Sequence, residues 1–172
     1  MIPNVSQQLG AIRNTIAKVV VPAVDPDNGF AQEQAGLVLA SLDWVIDVVA
    51  HEQHYEQLEH REVRALVTDL LALDPAQGAD EARAAIDASA EPPADLLALR
   101  AQSIELKRCA DLLFGALTAT PDTPGRTESR RLLTAASRRQ IERERSWTRM
   151  TGFSGAVPNV GEVLAQQELA LA

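Results

Sequence analysis

The sequence predicts an all-α protein, an up-down helical bundle of the four-helix type with additional short helices. Apolar residues make up 46% of the chain, but aromatic residues only 3%, so the core is built from Leu, Ala and Val, which suits close-packed helices. Apolar positions recur at steps of three and four, and no strand-like alternation extends beyond a few residues. We expect one domain over residues 1–172, with residues 152–172 forming a loop and a short C-terminal helix.

The first half of the chain contains three helical patterns. The first starts at Val5 and is closed by Pro22, and the turn-rich sequence VPAVDPDNG follows it. A long helix is then predicted from about Phe30 to the late fifties, and it is apolar on most sides and therefore central. The charged segment EQLEHREVR is expected to emerge into solvent. Helical spacing resumes at Val63, either continuing the long helix or following a kink near His60.

The second half begins with a short alanine-rich helix, about Asp80–Ala88. An a/d seam follows over three heptads and predicts a helix packed nearly parallel or antiparallel to a neighbour, within the bundle or against a second copy. An arginine-rich helix is predicted at about Glu128–Met150, a loop at 152–161 and a last helix at about Val163–Leu171. The seam consists of Leu96, Leu99, Ser103, Leu106, Ala110, Leu113 and Leu117.

Charge and cysteine content exclude several classes of protein. The single cysteine, Cys109, excludes an internal disulfide and a cysteine-cluster zinc site. A net charge of −8 argues against nucleic-acid binding, and no segment approaches the roughly 20 apolar residues that span a bilayer. We therefore expect a cytoplasmic protein that binds neither nucleic acid nor membrane. The charge is uneven, since the eight arginines and three glutamates from Arg126 to Arg149 give +5 and leave −13 elsewhere.

A polar ladder on the long helix is the first candidate site. Asp43, Asp47, His51 and His54 recur at steps of four, four and three, which places them within an arc of about 80° on one helix. Such a ladder either satisfies a polar stripe on a partner helix, faces water, or forms an acid–base or metal site. No Glu-x-x-His and no His-Glu-x-x-His motif is present, so we assign no metal and no cofactor.

The arginine-rich helix supplies the second group of candidates. Arg143 lies on its core-facing side and needs a carboxylate or a bound anion, so we expect Arg143 or Arg139 to reach the ladder across the bundle. Trp44 and Tyr55 adjoin the ladder and complete a tentative site for a small anionic ligand. The opposite face either is solvated or binds an acidic partner, and it holds Arg131, Arg138, Arg145 and Arg149.

The stretch Asp27–Tyr55, DNGFAQEQAGLVLASLDWVIDVVAHEQHY, resembles small all-helical bacterial proteins of unknown function. Some of these are encoded beside phosphotransferases of the aminoglycoside-kinase type, and the resemblance implies an accessory role. From the residues, we expect a non-catalytic ligand-binding or interaction protein, with a homodimer or another protein as partner. The alternative is a small enzyme in which Asp47 orients His51 as a base and Arg143 holds an anionic substrate, with or without a metal.

Overall fold

The structure is a computed structural model that describes residues 2–119, 121, 124–151 and 157–170. These residues form helices and connecting turns with no strand, which confirms the all-α prediction. A π-helical segment at Ile16–Val20 and a 3-10 turn at Arg149–Thr151 interrupt the α-helices. The α-helices are α1 (Val5–Thr15), α2 (Val21–Ala23), α3 (Gly29–Val48), α4 (Glu52–Leu71), α5 (Ala79–Ala88), α6 (Leu96–Thr118), α7 (Pro124–Trp147) and α8 (Val160–Leu169).

The chain divides into two compact units. The first comprises residues 1–52 and 143–165, and the second comprises residues 53–142 and 166–172. We call them unit 1 and unit 2.

A helical hairpin, residues 5–48, dominates unit 1. Asn4 starts α1 with a reciprocal capping box to Gln7, and the Asn28 side chain accepts a hydrogen bond from the first turn of α3. The Gln32 side chain contacts the Val24 carbonyl beside the turn, while Arg13 reaches Asp43 farther along, so α1 runs antiparallel to α3. Five residues connect the two arms, which is the short connection typical of antiparallel neighbours.

The predicted long helix from Phe30 to the late fifties is wrong, because the helix ends at Val48 and α4 begins at Glu52. The intervening turn closes through a hydrogen bond from the His51 amide to the Val48 carbonyl at 2.9 Å. Helix α4 then passes through His60 to Leu71 without a break. No single helix of the described chain is long and apolar enough to cross a membrane, although α3 and α4 satisfy length and composition as a bent pair.

The core of unit 2 forms around the predicted seam of α6. Leu99, Leu106 and Leu113 are at most 1% exposed. Leu106, Ala110, Leu113 and Leu117 of the seam pack with Val67 and Leu70 of α4 into one hydrophobic cluster. Most of the seam is therefore covered within this chain.

Two further expectations need correction. The segment EQLEHREVR does not emerge into solvent, because Leu58, Glu59, His60 and Glu62 are buried. The last helix begins at Val160, three residues earlier than predicted, since Asn159 caps its first turn. The part of the predicted loop at residues 152–156 lies outside the described residues.

Candidate functional site

The two carboxylates of the ladder are each held by a guanidinium within unit 1. Arg13 of α1 donates to both oxygens of Asp43 at 2.6 and 3.0 Å, and this hydrogen-bonded charge lowers the pKa of Asp43. Arg149 donates from Nε to Asp47 at 2.9 Å and from Nη2 to the other oxygen, and these bonds raise the pKa of Arg149. Both carboxylates therefore serve as structural anchors for neighbouring elements.

The two histidines of the ladder are separated from the carboxylates by the helix break. His51 lies in the turn after α3 and packs against Gly161, where a methyl group would come within 3.0 Å of the His51 Cε1 atom. No hydrogen bond joins Asp47 to His51 in the described part of the chain, so the oriented base of the enzyme hypothesis is not assembled there. The continuous stripe expected from an unbroken helix does not form.

His54 belongs to α4 in unit 2, where it meets a different carboxylate. Its Nε2 lies 3.1 Å from Glu168 of α8, and Arg61 donates to the other oxygen of that carboxylate at 2.7 Å. The hydrogen bond from Arg61 and the adjacent charges lower the pKa of Glu168. Tyr55, the next residue, is half-buried and has a partner.

Arg139, one of the two arginines expected to reach the ladder, instead binds a carboxylate of α4. Its Nε donates to Glu62 of α4 at 2.6 Å, and its carbonyl accepts a bond from Gln167 at 3.0 Å. Arg143 is 2% exposed, as its core-facing position predicted. The Trp44 indole donates to the Trp147 carbonyl at 2.9 Å, so in unit 1 it ties α3 to the end of α7.

The arginines predicted for the outward face have different environments. Arg131 and Arg138 of unit 2 are exposed, and Arg131 forms a fork with Glu128 of the same helix, at 2.6 to 3.0 Å. Arg145 of unit 1 is exposed and has a partner. The assignment of Arg149 to this face is wrong, because its side chain is bound to Asp47.

Sequence reasoning missed a row of ion pairs that buries the charged part of α4. Glu56 accepts from Arg100 of α6 at 2.7 Å. Glu59 lies 3.0 Å from Lys107 on the same helix. Together with the pair between Glu62 and Arg139, these contacts give each carboxylate a cation on a neighbouring helix, and this permits burial.

His60, also in this segment, is a buried histidine. The Gln102 amide nitrogen donates to the Ala88 carbonyl at 3.1 Å, so the amide oxygen faces His60 Nε2 at 3.0 Å and Nε2 carries the proton. Burial, helped by the charge of Arg64, lowers the pKa of His60. Its Nδ1 has no hydrogen-bond partner among the described residues.

The most prominent exposed apolar surface is on the hairpin. Fourteen large apolar residues are exposed in the described chain, and eight of them lie between Ile2 and Val38. No residue of α1, α2 or the π-helical segment is buried. The apolar hairpin surface, as we name it, comprises Val5, Ile12, Val19, Val20, Phe30, Leu37 and Val38.

Two surface grooves of the described residues lie in unit 2. One, of about 240 Å³, separates α4 from α7, and the pair of Glu62 and Arg139 lies on its wall. The other, of about 500 Å³, is shallow and open, and the residues that line it all belong to α7. The described residues contain no group of three or more His, Cys, Asp or Glu side chains placed to hold a metal ion. No family model, curated protein or solved structure matches the chain.

Proposed function

We propose that this chain is a non-catalytic interaction protein whose working surface is the apolar hairpin surface, and that its partner there is a second copy of itself. The observation that carries the proposal is the inverted polarity of unit 1. Two of its carboxylates, Asp43 and Asp47, are bound by arginines, while seven large apolar side chains of its hairpin are exposed. Exposed apolar surface concentrated in this way is typical of a protein–protein contact.

The spacing of these side chains favours a helical partner. Val5 and Ile12 are seven residues apart on α1, and Phe30 and Leu37 are seven residues apart on α3. A seven-residue apolar repeat is the pattern by which helices pack side by side. Two hairpins would thus form a four-helix arrangement between copies, while the four-helix up-down bundle within one chain stays a prediction.

The size and charge of the surface fit a second copy. Helix α3 has 20 residues, so a two-helix face about 30 Å long and about 20 Å wide offers roughly 600 Å² per copy. A dimer would bury roughly 1,200 Å², the lower end of the standard range for specific complexes. Glu33 is the single charged residue between Phe30 and Leu42, so two copies of this helix meet with little electrostatic repulsion.

The accessory role implied by the resemblance of Asp27–Tyr55 fits a docking surface, because that stretch includes α3. This role, like the cytoplasmic location, stays a prediction. The small-ligand site around Trp44, His51 and Arg143 and the enzyme alternative have less support, since the ladder on which they depended is divided.

Sedimentation equilibrium over a range of protein concentrations tests the proposal. We expect a dimer of twice the chain mass of 18.6 kDa, and we expect Phe30→Asp combined with Leu37→Asp to give the monomer. The matched control is Leu97→Asp with Ile104→Asp, which introduces the same charges at the same spacing on α6, at residues 73% and 67% exposed. A wild-type protein that stays monomeric at about 100 μM, or a control that dissociates equally, would show the proposal to be wrong.

A further inference from the structure

The arginines of this protein are almost all engaged. The sequence holds fourteen arginines, all within the described residues, and twelve of them have a hydrogen bond, an ion pair or another polar or ring contact. Arg130 and Arg138 have none among the described residues. Both line the same groove of about 500 Å³ on α7 in unit 2.

The geometry of the groove aligns these two side chains. Arg130, Thr134 and Arg138 occupy positions i, i+4 and i+8 of α7, which places them within an arc of about 80° and the two arginines about 12 Å apart along the axis. The groove is lined by Thr127, Arg130, Arg131, Thr134, Ala135 and Arg138.

The third arginine of the groove shows how a carboxylate is recognised there. Arg131 Nε lies 2.8 Å from one oxygen of Glu128, and its Nη2 lies 2.6 Å from the other. A planar guanidinium fork that matches a carboxylate in this way gives direction as well as charge attraction. Arg130 and Arg138 present the same chemistry without an intramolecular acceptor in the described chain.

We propose that this groove binds an acidic peptide segment of a partner protein, carrying two carboxylates about 12 Å apart that Arg130 and Arg138 bind. A peptide is favoured over a nucleic acid because a nucleic acid is held by many phosphate contacts, whereas this groove offers two arginines without an intramolecular acceptor among the described residues. The threonine hydroxyls of the groove can bond the peptide backbone or its side chains. The inference is independent of the apolar hairpin surface, which belongs to unit 1.

Fluorescence anisotropy with a labelled peptide tests the proposal. The probe is a helical peptide with glutamates at positions i, i+4 and i+8, and its counterpart has glutamines there. We expect saturable binding of the glutamate peptide that weakens with salt, and Arg130→Gln combined with Arg138→Gln should weaken it about tenfold. The matched control, Arg83→Gln with Arg108→Gln, removes the same charge from α5 and α6 and should change the affinity less than about twofold.

Four results would overturn the proposal. These are the absence of saturable binding at about 1 mM peptide, an equal loss of affinity in the control, tighter binding of duplex DNA through the same arginines, and displacement of the peptide by an equal concentration of inorganic phosphate. Circular dichroism of each variant verifies that the helices are retained. A negative result in the peptide experiment does not bear on the dimer proposal, since the two experiments use different residues in different units.

Discussion

Replacing Arg139 with methionine is expected to destabilise the protein, because it leaves the Glu62 carboxylate buried without its guanidinium. The Glu62 side chain is 3% exposed, and the two charged groups lie 2.6 Å apart. Breaking a buried pair in this way costs about 3–5 kcal/mol. The Arg139 side chain is itself 37% exposed and Glu62 has a further interaction, so we expect a smaller loss of about 2 kcal/mol.

The control lies on the same helix. Arg131 also forms a fork with a glutamate, but Glu128 is 40% exposed and Arg131 is 64% exposed. Replacing Arg131 with methionine should cost less than about 0.5 kcal/mol. Urea unfolding followed by circular dichroism gives both free energies, and for a chain of this length about 2 kcal/mol corresponds to a fall of roughly 4–8 °C in Tm.

The double variant Glu62→Gln with Arg139→Met separates the loss of charge pairing from the loss of packing. It removes the uncompensated charge and should recover more than half of the loss in stability. Equal costs for Arg139→Met and Arg131→Met would refute the argument that paired burial stabilises α4, as would a double variant no more stable than Arg139→Met.

Three further predictions concern single sites. Burial holds the pKa of His60 below its ordinary value of about 6.5, so the unfolded chain takes up the proton at a higher pH than the folded chain does. The stability that is present above about pH 6.5 is therefore lost as the pH falls towards the folded-state pKa. His60→Gln should remove this dependence from urea midpoints measured between about pH 7 and pH 5. Leu113→Ala, at a fully buried position, should cost about 3 kcal/mol in the same assay, against less than about 0.5 kcal/mol for Ile104→Ala at an exposed one. Gly161→Ala should not raise the Tm of the wild-type protein, because the new methyl group meets the His51 ring. In a His51→Ala background, the same substitution should stabilise the protein by about 0.5–1 kcal/mol.

The seam of α6 was predictable because its signal is local. Apolar residues that recur at alternating steps of three and four lie on one side of a helix, whatever its neighbours are. Leu99, Leu106 and Leu113 follow this pattern, and all three are buried. The charged segment of α4 gives the opposite lesson. Its charge predicted exposure, but its partners come from helices 44 to 77 residues farther along the chain. An acidic segment of a sequence predicts solvent exposure only when no cation from a distant part of the chain pairs with its carboxylates.

The ladder could be predicted only in part. Asp43 and Asp47 share one side of α3, as their spacing required, and both bind cations. The histidines do not continue the stripe, because the helix breaks at residues 49–51, which contain neither glycine nor proline. Without such a residue, the break leaves no local signal in the sequence.

The two units bury their side chains by different means. Unit 2 encloses a leucine core and pairs the charges at its edge, whereas the described part of unit 1 buries four large apolar side chains, those of Val48, Val160, Val163 and Leu164. The pair of Arg13 with Asp43 joins the two arms of the hairpin, and the pair of Arg149 with Asp47 joins α3 to the 3-10 turn. Both pairs are partly exposed and therefore contribute little stability. Apolar burial is the main favourable contribution to folding, so a hairpin with its apolar surface uncovered lacks the largest contribution that its sequence could supply. Covering that surface with a second copy would provide it, and this is why we propose the hairpin, and not the leucine seam, as the interaction surface.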